Sequence, residues 1–140
     1  MKLITLALAL CVSAAPALAE NWLCKMNQPN PQDWFGTEVF VGVDDDSGRA
    51  VAANAAALGF MGGPVPFKVN KNTDKVLKGE FLLDRIEDSL GQKAPAMRYG
   101  LVIQKASGTL SMNVRASGYQ NAFYRDGKCA RVTGEPKLRG

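Results

Sequence analysis

Residues 97–116 read MRYGLVIQKASGTLSMNVRA, and their side chains alternate in character on both sides of a single turn. In the second half, Leu110, Met112, Val114 and Ala116 share one face while Thr109, Ser111, Asn113 and Arg115 share the other, which is the two-residue period of a half-buried strand. In the first half, Met97, Tyr99, Leu101 and Ile103 oppose Arg98, Gly100, Val102 and Gln104. Lys105, Ala106, Ser107 and Gly108 lie between the halves as a short glycine-containing turn. The stretch therefore predicts an antiparallel hairpin.

The same period extends outward. In KVLKGEFLLDRI, Leu77, Gly79, Phe81 and Leu83 fall on one face, with Lys78, Glu80, Leu82 and Asp84 on the other; TEVFVGVD aligns Val39, Val41 and Val43. PVPFKVN predicts a short strand that Pro64 and Pro66 confine to an edge or a bulge. NWLCKMN and NAFYRDGKCARV supply the first and last strands. The segment GRAVAANAAALGF is ambiguous. Its alanines favour helix, with Asp46 or Ser47 able to cap its start and Gly59 its end. Its neighbours favour a strand over residues 49–54 followed by a loop or a single helical turn, and that reading is adopted. About seven or eight short strands separated by turn signals predict an all-β domain, a small antiparallel barrel or sandwich.

The chain begins MKLITLALALCVSAAPALA, with Lys2, an apolar run, Pro16 and the small-residue ending Ala17, Leu18, Ala19. This is the pattern of a cleaved secretory signal peptide over residues 1–19, which leaves residues 20–140 as a single β domain. The apolar run is far shorter than the ~20 residues of a membrane-spanning helix, so no transmembrane anchor is expected. A lipoprotein box ending at Cys11 is the competing reading, but Leu10 stands where a small residue belongs. Cleavage after Ala19 would place the protein in the periplasm or outside the cell. It would also reduce the three cysteines to Cys24 and Cys129. A reactive thiol, a metal ligand and half of a disulfide are all open roles for Cys129. An even count in an oxidising compartment favours a Cys24–Cys129 disulfide joining the N- and C-terminal strands.

Loss of Lys2 would lower the net charge from +4 to +3, with the basic residues spread along the chain. No basic stripe interleaved with aromatics is present, and nucleic acid is not expected as a partner. The sequence contains no histidine. That removes Ser-His-Asp and Cys-His catalysis and the commonest zinc ligand. Paired carboxylates could still act as acid and base, but the nearest cluster, Glu80, Asp84, Glu87 and Asp88, sits among Lys78 and Arg85 and reads as a solvated face. Asp44, Asp45 and Asp46 precede Ser47 and Gly48 without the glutamate near Ala55 that a calcium loop requires, and they read as an acidic turn. No cofactor, metal or catalytic residue is expected.

Trp22 and Cys24 near the start of the domain, PVPFKVNKNTDK, the 97–121 region ending in Gly118, Tyr119, Gln120 and Asn121, and the closing Gly127 and Cys129 resemble a set of small disulfide-stapled β proteins exported to the bacterial periplasm. That set carries no assigned activity, so the resemblance implies localisation and fold only. A looser similarity is to periplasmic lysozyme inhibitors, which carry Ser-Gly-x-x-Tyr. Here Ser117 and Gly118 are followed by Asn121 where the tyrosine belongs.

The expected function is a non-catalytic binding or structural domain of the cell envelope, a monomer that meets an envelope protein or a small ligand. The alternatives are an inhibitor of a cell-wall hydrolase, a lipocalin- or avidin-like binder of small hydrophobic ligands, and a carboxylate-based hydrolase. Trp22, Trp34, Phe35 and Tyr119 are the candidate binding residues, because aromatics near strand ends can line a barrel mouth. The Tyr119 ring is expected to pack inward at a chain reversal. The inward candidates Val39, Val41, Phe81, Leu83, Tyr99, Leu101, Leu110, Met112 and Val114 are bulky enough to predict a packed core without a deep cavity, which favours a partner met at the surface, through the loop at residues 30–36 or the alanine-rich segment.

Overall fold

The computed structural model describes residues 20–30, 33–87 and 90–134; the expected signal peptide, with Cys11, and Asp88 lie outside them. Among the described residues the alternating segments form eight strands, β1 (Glu20–Asn30), β2 (Gly36–Asp44), β3 (Arg49–Asn54), β4 (Val65–Asn72), β5 (Val76–Leu83), β6 (Met97–Gln104), β7 (Thr109–Ala116) and β8 (Ala122–Arg131), with one helix, α1 (Ala55–Met61). Each strand pairs with the next in sequence and β8 pairs with β1, closing an antiparallel barrel. The hairpin read from residues 97–116 is β6 and β7, in register from Met97 opposite Ala116 to Gln104 opposite Thr109.

The interior is made by the side chains that the period placed inward. Val39, Val41, Leu77, Leu83, Tyr99, Ile103, Leu110 and Val114 are fully buried, and Phe81 stacks on Tyr99 across β5 and β6 with ring centroids 4.6 Å apart. An eight-stranded barrel has an interior that side chains alone can fill, and these bulky residues fill it. Two inward glycines set its local width. A Cβ on Gly79 would collide with the Phe67 ring and the Lys68 carbonyl, and one on Gly127 with the Lys25 carbonyl. Outward positions such as Lys78, Arg98, Gln104, Ser111 and Arg115 are exposed, the inverse of a barrel whose outer wall meets lipid. Among the described residues no helix is long and apolar enough to cross a membrane.

The alanine-rich segment divides at Asn54. Residues 49–54 pair with β2 as the strand expected. The Asn54 side-chain oxygen then accepts from the Ala57 amide at 2.9 Å, and Gly62 ends the helix at φ 77°. Asn54, rather than Asp46 or Ser47, is the cap because the strand pairing consumes everything before it. β4 meets β3 only through Val51 opposite Pro66 and Ala52 opposite Val65. It is irregular between Val69 and Lys71, so the proline-bearing strand is the poorly paired, bulged element that its sequence predicts.

Cys24 and Cys129 stand directly opposite each other in the β1–β8 register and form a disulfide. The staple lies on the seam that closes the barrel. The connections alternate between two ends. The terminal end carries the start of β1, the finish of β8 and the β2–β3, β4–β5 and β6–β7 turns. The helix end carries the other four connections, α1 among them.

Candidate functional site

The four aromatics singled out in the sequence part company. Trp22 is buried at the terminal end, where its indole N–H donates to Glu20 Oε1 at 2.7 Å and the Arg131 guanidinium lies 5.2 Å from its ring. Phe35 is buried at the helix end beneath Arg125, whose guanidinium carbon is 5.3 Å from the ring centroid. Both serve the core. Trp34 stays outside, 39% exposed, and stacks on Phe60 of α1 at 6.2 Å. The loop at residues 30–36 and the alanine-rich segment, remote in sequence, thus meet as one surface.

Tyr119 does not pack inward as expected; it is 64% exposed. The reversal at residues 117–121 is made by the backbone, with the Tyr119 amide donating to the Ala116 carbonyl at 3.1 Å and Gly118 at φ 83°. It lies beyond the last inward residue of β7, so no wall is left for the ring to lean on.

The Trp34 loop is held from below. Asp33 Oδ1 accepts from the Phe35 and Gly36 amides at 2.9 and 3.0 Å, and its Oδ2 is 3.2 Å from Arg125 Nη2. The Tyr99 hydroxyl donates to the Trp34 carbonyl at 2.8 Å, and Asn54 Nδ2 approaches the same oxygen at 3.5 Å. Burial pushes the Tyr99 hydroxyl well above its ordinary pKa, and the negative charge of Asp33 adds to the shift despite an opposing hydrogen bond with Asn54. It is a fixed neutral donor. Asn54 therefore caps α1 and touches the Trp34 loop at once, so both halves of the aromatic pair rest on one buried residue.

Around this pair, every connection at the helix end presents a large apolar side chain to solvent: Trp34, Phe60, Leu90 at 81% exposure and Tyr119, with Phe123 just inside β8 at 60%. The three described turns at the terminal end, residues 45–48, 73–75 and 105–108, contain no large apolar residue. That end is sealed by polar chemistry, with Lys105 Nζ 2.7 Å from Glu20 Oε1 and 2.6 Å from Asn72 Oδ1. Burial works against the Glu20 charge, but hydrogen bonds from Lys105, Trp22 and Asn72 and the Lys105 charge outweigh it. The carboxyl lies below its ordinary value of 4.5.

The carboxylates weighed for chemistry are otherwise engaged. Glu80 lies 3.2 Å from Arg98 and 4.0 Å from Lys68 on the outer wall, Asp84 pairs with Arg85, and Glu87 bridges to Lys93 through the backbone. Asp44 spends both oxygens on its own turn, taking the Ser47 hydroxyl at 2.7 Å and the Asp46 amide at 3.1 Å, and the Ser47 bond is the first cause of its lowered pKa. Among the described residues no group of three acidic or cysteine side chains could hold a metal ion.

Sequence reasoning missed Phe60, Asp33 and Arg125. A signal for Arg125 was present: it falls on the inward phase of β8 with Gly127 and Cys129, an anomalous place for a cation unless a partner waits at the rim. Comparisons with protein-family models, with curated proteins and with solved structures find no match to this chain.

Proposed function

We propose that the chain is an exported, non-catalytic binding domain of the cell envelope that engages a partner protein through the helix end of the barrel. The observation that carries this reading is that every connection at the helix end, and no described turn at the terminal end, presents a large apolar side chain to solvent. Exposed apolar clusters on small domains mark interaction sites, and aromatic anchors held rigidly are what interfaces use most effectively. Trp34 and Phe60 are such anchors, fixed through Asn54, Tyr99 and Asp33. A barrel interior occupied by side chains supports a surface encounter over an enclosed hydrophobic ligand. Inhibition of a cell-wall hydrolase is one form the encounter could take.

The test is a photo-crosslinking amino acid placed at residue 60 or 119, with residues 46 and 74 of the terminal end as controls, in cells that export the protein. A discrete adduct from the helix end, lost on Trp34→Ala, is the expected result. Adducts of equal strength from both ends, or from neither, would overturn the reading.

A further inference from the structure

A second recognition feature lies beside the aromatic end and has different chemistry. β1 and β8 are paired from Trp22 opposite Arg131 to Met26 opposite Gly127, and there the ladder stops. Both strands continue: β1 runs on to Asn30, while β8 reaches back to Ala122 along β7. The two edges therefore fork. The fork holds a depression of about 250 Å³ lined by Asn27 and Gln28 from β1 and by Tyr124, Arg125 and Asp126 from β8.

Each lining group narrows the ligand. Tyr124 is 69% exposed on the outer wall, opposite Asn113, so its ring is available as a platform for an apolar C–H face. The Asn27 and Gln28 carboxamides are exposed and have no hydrogen-bond partner among the described residues, which leaves two donors and an acceptor on each. Asp126 takes the Ser111 hydroxyl on Oδ1 at 3.3 Å, which holds the carboxylate in place while Oδ2 stays open to a hydroxyl pair. The one cation, Arg125, is already committed to Asp33 and to the Tyr124 carbonyl, at 3.2 and 3.0 Å, although its Nε is buried without a partner. An anion would meet Asp126, and the lining itself offers no uncommitted positive charge to offset it. A lipid chain would find carboxamides where it needs apolar walls. A metal ion would find one carboxylate. What fits is uncharged, rich in hydroxyl or amide groups, and has one C–H face.

We infer that the fork is a subsite for one neutral pyranose unit of a glycan. Its volume lies below the ~300–1,000 Å³ of clefts that enclose a whole drug-sized ligand, and its open rim suits a single ring within a longer chain. The lining supplies one carboxylate and no second acid facing it, so the subsite holds the sugar without cleaving it. That the glycan belongs to the cell envelope rests on the exported reading above, whereas the recognition chemistry stands on the fork alone.

The experiment is an NMR titration of the disulfide-bonded protein with chitotetraose and, separately, maltotetraose. The expected result is saturable movement of the Asn27 and Gln28 side-chain amides and of the residue 124–126 backbone amides, with a Kd on the order of 1 mM. Tyr124→Ala should weaken binding about tenfold, the loss of one stacking contact, and Gln28→Ala should weaken it independently. Asp74→Asn, in the β4–β5 turn at the opposite end of the barrel, should leave it unchanged. Response to chitotetraose alone assigns recognition of the acetamido group; response to both sugars assigns the hydroxyls. No response to either sugar, or one unchanged in folded Tyr124→Ala and Gln28→Ala variants, would refute the subsite. Neither outcome touches the helix-end crosslink, so the two readings fail separately.

Discussion

The Tyr99 hydroxyl donates to the Trp34 carbonyl at 2.8 Å across a sequence separation of 65, tying the inner wall of β6 to the loop that carries the exposed indole. Tyr99→Phe keeps the ring that stacks on Phe81 and removes only the donor. Leaving the carbonyl with only the 3.5 Å contact to Asn54 Nδ2 should cost about 1–2 kcal/mol in urea unfolding. Because the bond holds the loop rather than the barrel, Trp34 fluorescence should change while the far-ultraviolet circular dichroism stays that of the parent protein. A variant as stable as the parent would show that the bond contributes nothing.

The Cys24–Cys129 disulfide spans 105 residues and joins directly opposed positions on the closing seam. Cys24→Ser should destabilise the protein by about 2–5 kcal/mol, the range for small secreted domains. Since β1 reaches β8 only as far as Met26, the seam that depends on the staple is short. Reduction should therefore increase amide exchange first in β1 and β8. Uniform exchange across all eight strands on reduction would contradict that order.

Residues 97–116 made the fold legible because their period matches the pleat with no glycine or proline on the inward face. The same was true of Val39, Val41 and Val43, and parity of the two cysteines left by the expected cleavage after Ala19 was enough to pair Cys24 with Cys129. The helix end resisted reading for a physical reason. Its residues are joined by contacts of long sequence separation: Asp33 to Arg125, Trp34 to Tyr99, Trp34 to Phe60. None of these has a period. Trp22, Trp34 and Phe35 look alike as aromatics near a strand end. What separates them is strand phase and whether the loop turns inward, and that is set by Asp33 binding its own backbone two and three residues on. Asn54 was hidden similarly, since one side chain ends a strand, caps a helix and reaches the Trp34 loop.

Two glycines allow a contrast. Gly79 faces inward where a Cβ would meet the Phe67 ring and the Lys68 carbonyl, while Gly59, within α1, has nothing within 4 Å of a Cβ. Gly79→Ala should cost roughly 1–3 kcal/mol or more through overpacking, because a backbone carbonyl cannot move aside as a side chain can. Gly59→Ala should instead raise stability by about 0.5–1 kcal/mol, the helix propensity difference. Thermal unfolding of both variants checks the signs, and a destabilised Gly59→Ala would mean that α1 does not persist as a helix in solution.

The seal at the terminal end should make stability depend on pH through Glu20. Its folded-state pKa lies below the ordinary 4.5, so the unfolded chain binds the proton more readily. The stabilisation is then complete above pH 4.5 and is lost as pH falls through the lower folded value. Glu20→Gln should lower stability by about 2 kcal/mol at pH 7, where a hydrogen-bonded charge is lost and the Lys105 ammonium keeps Asn72 but loses its counter-charge. The difference between parent and variant should hold steady from pH 7 to pH 5 and shrink below that. Lys105→Met should remove most of the pH dependence with it, since Lys105 supplies both the first hydrogen bond and the charge that hold the carboxyl ionised. Cleavage after Ala19 would make Glu20 the first residue, so the intact mass of the exported protein, expected to begin at Glu20, belongs to the same test. A parent-to-variant gap that widens on acidification would reverse the sign and remove Glu20 as the group responsible.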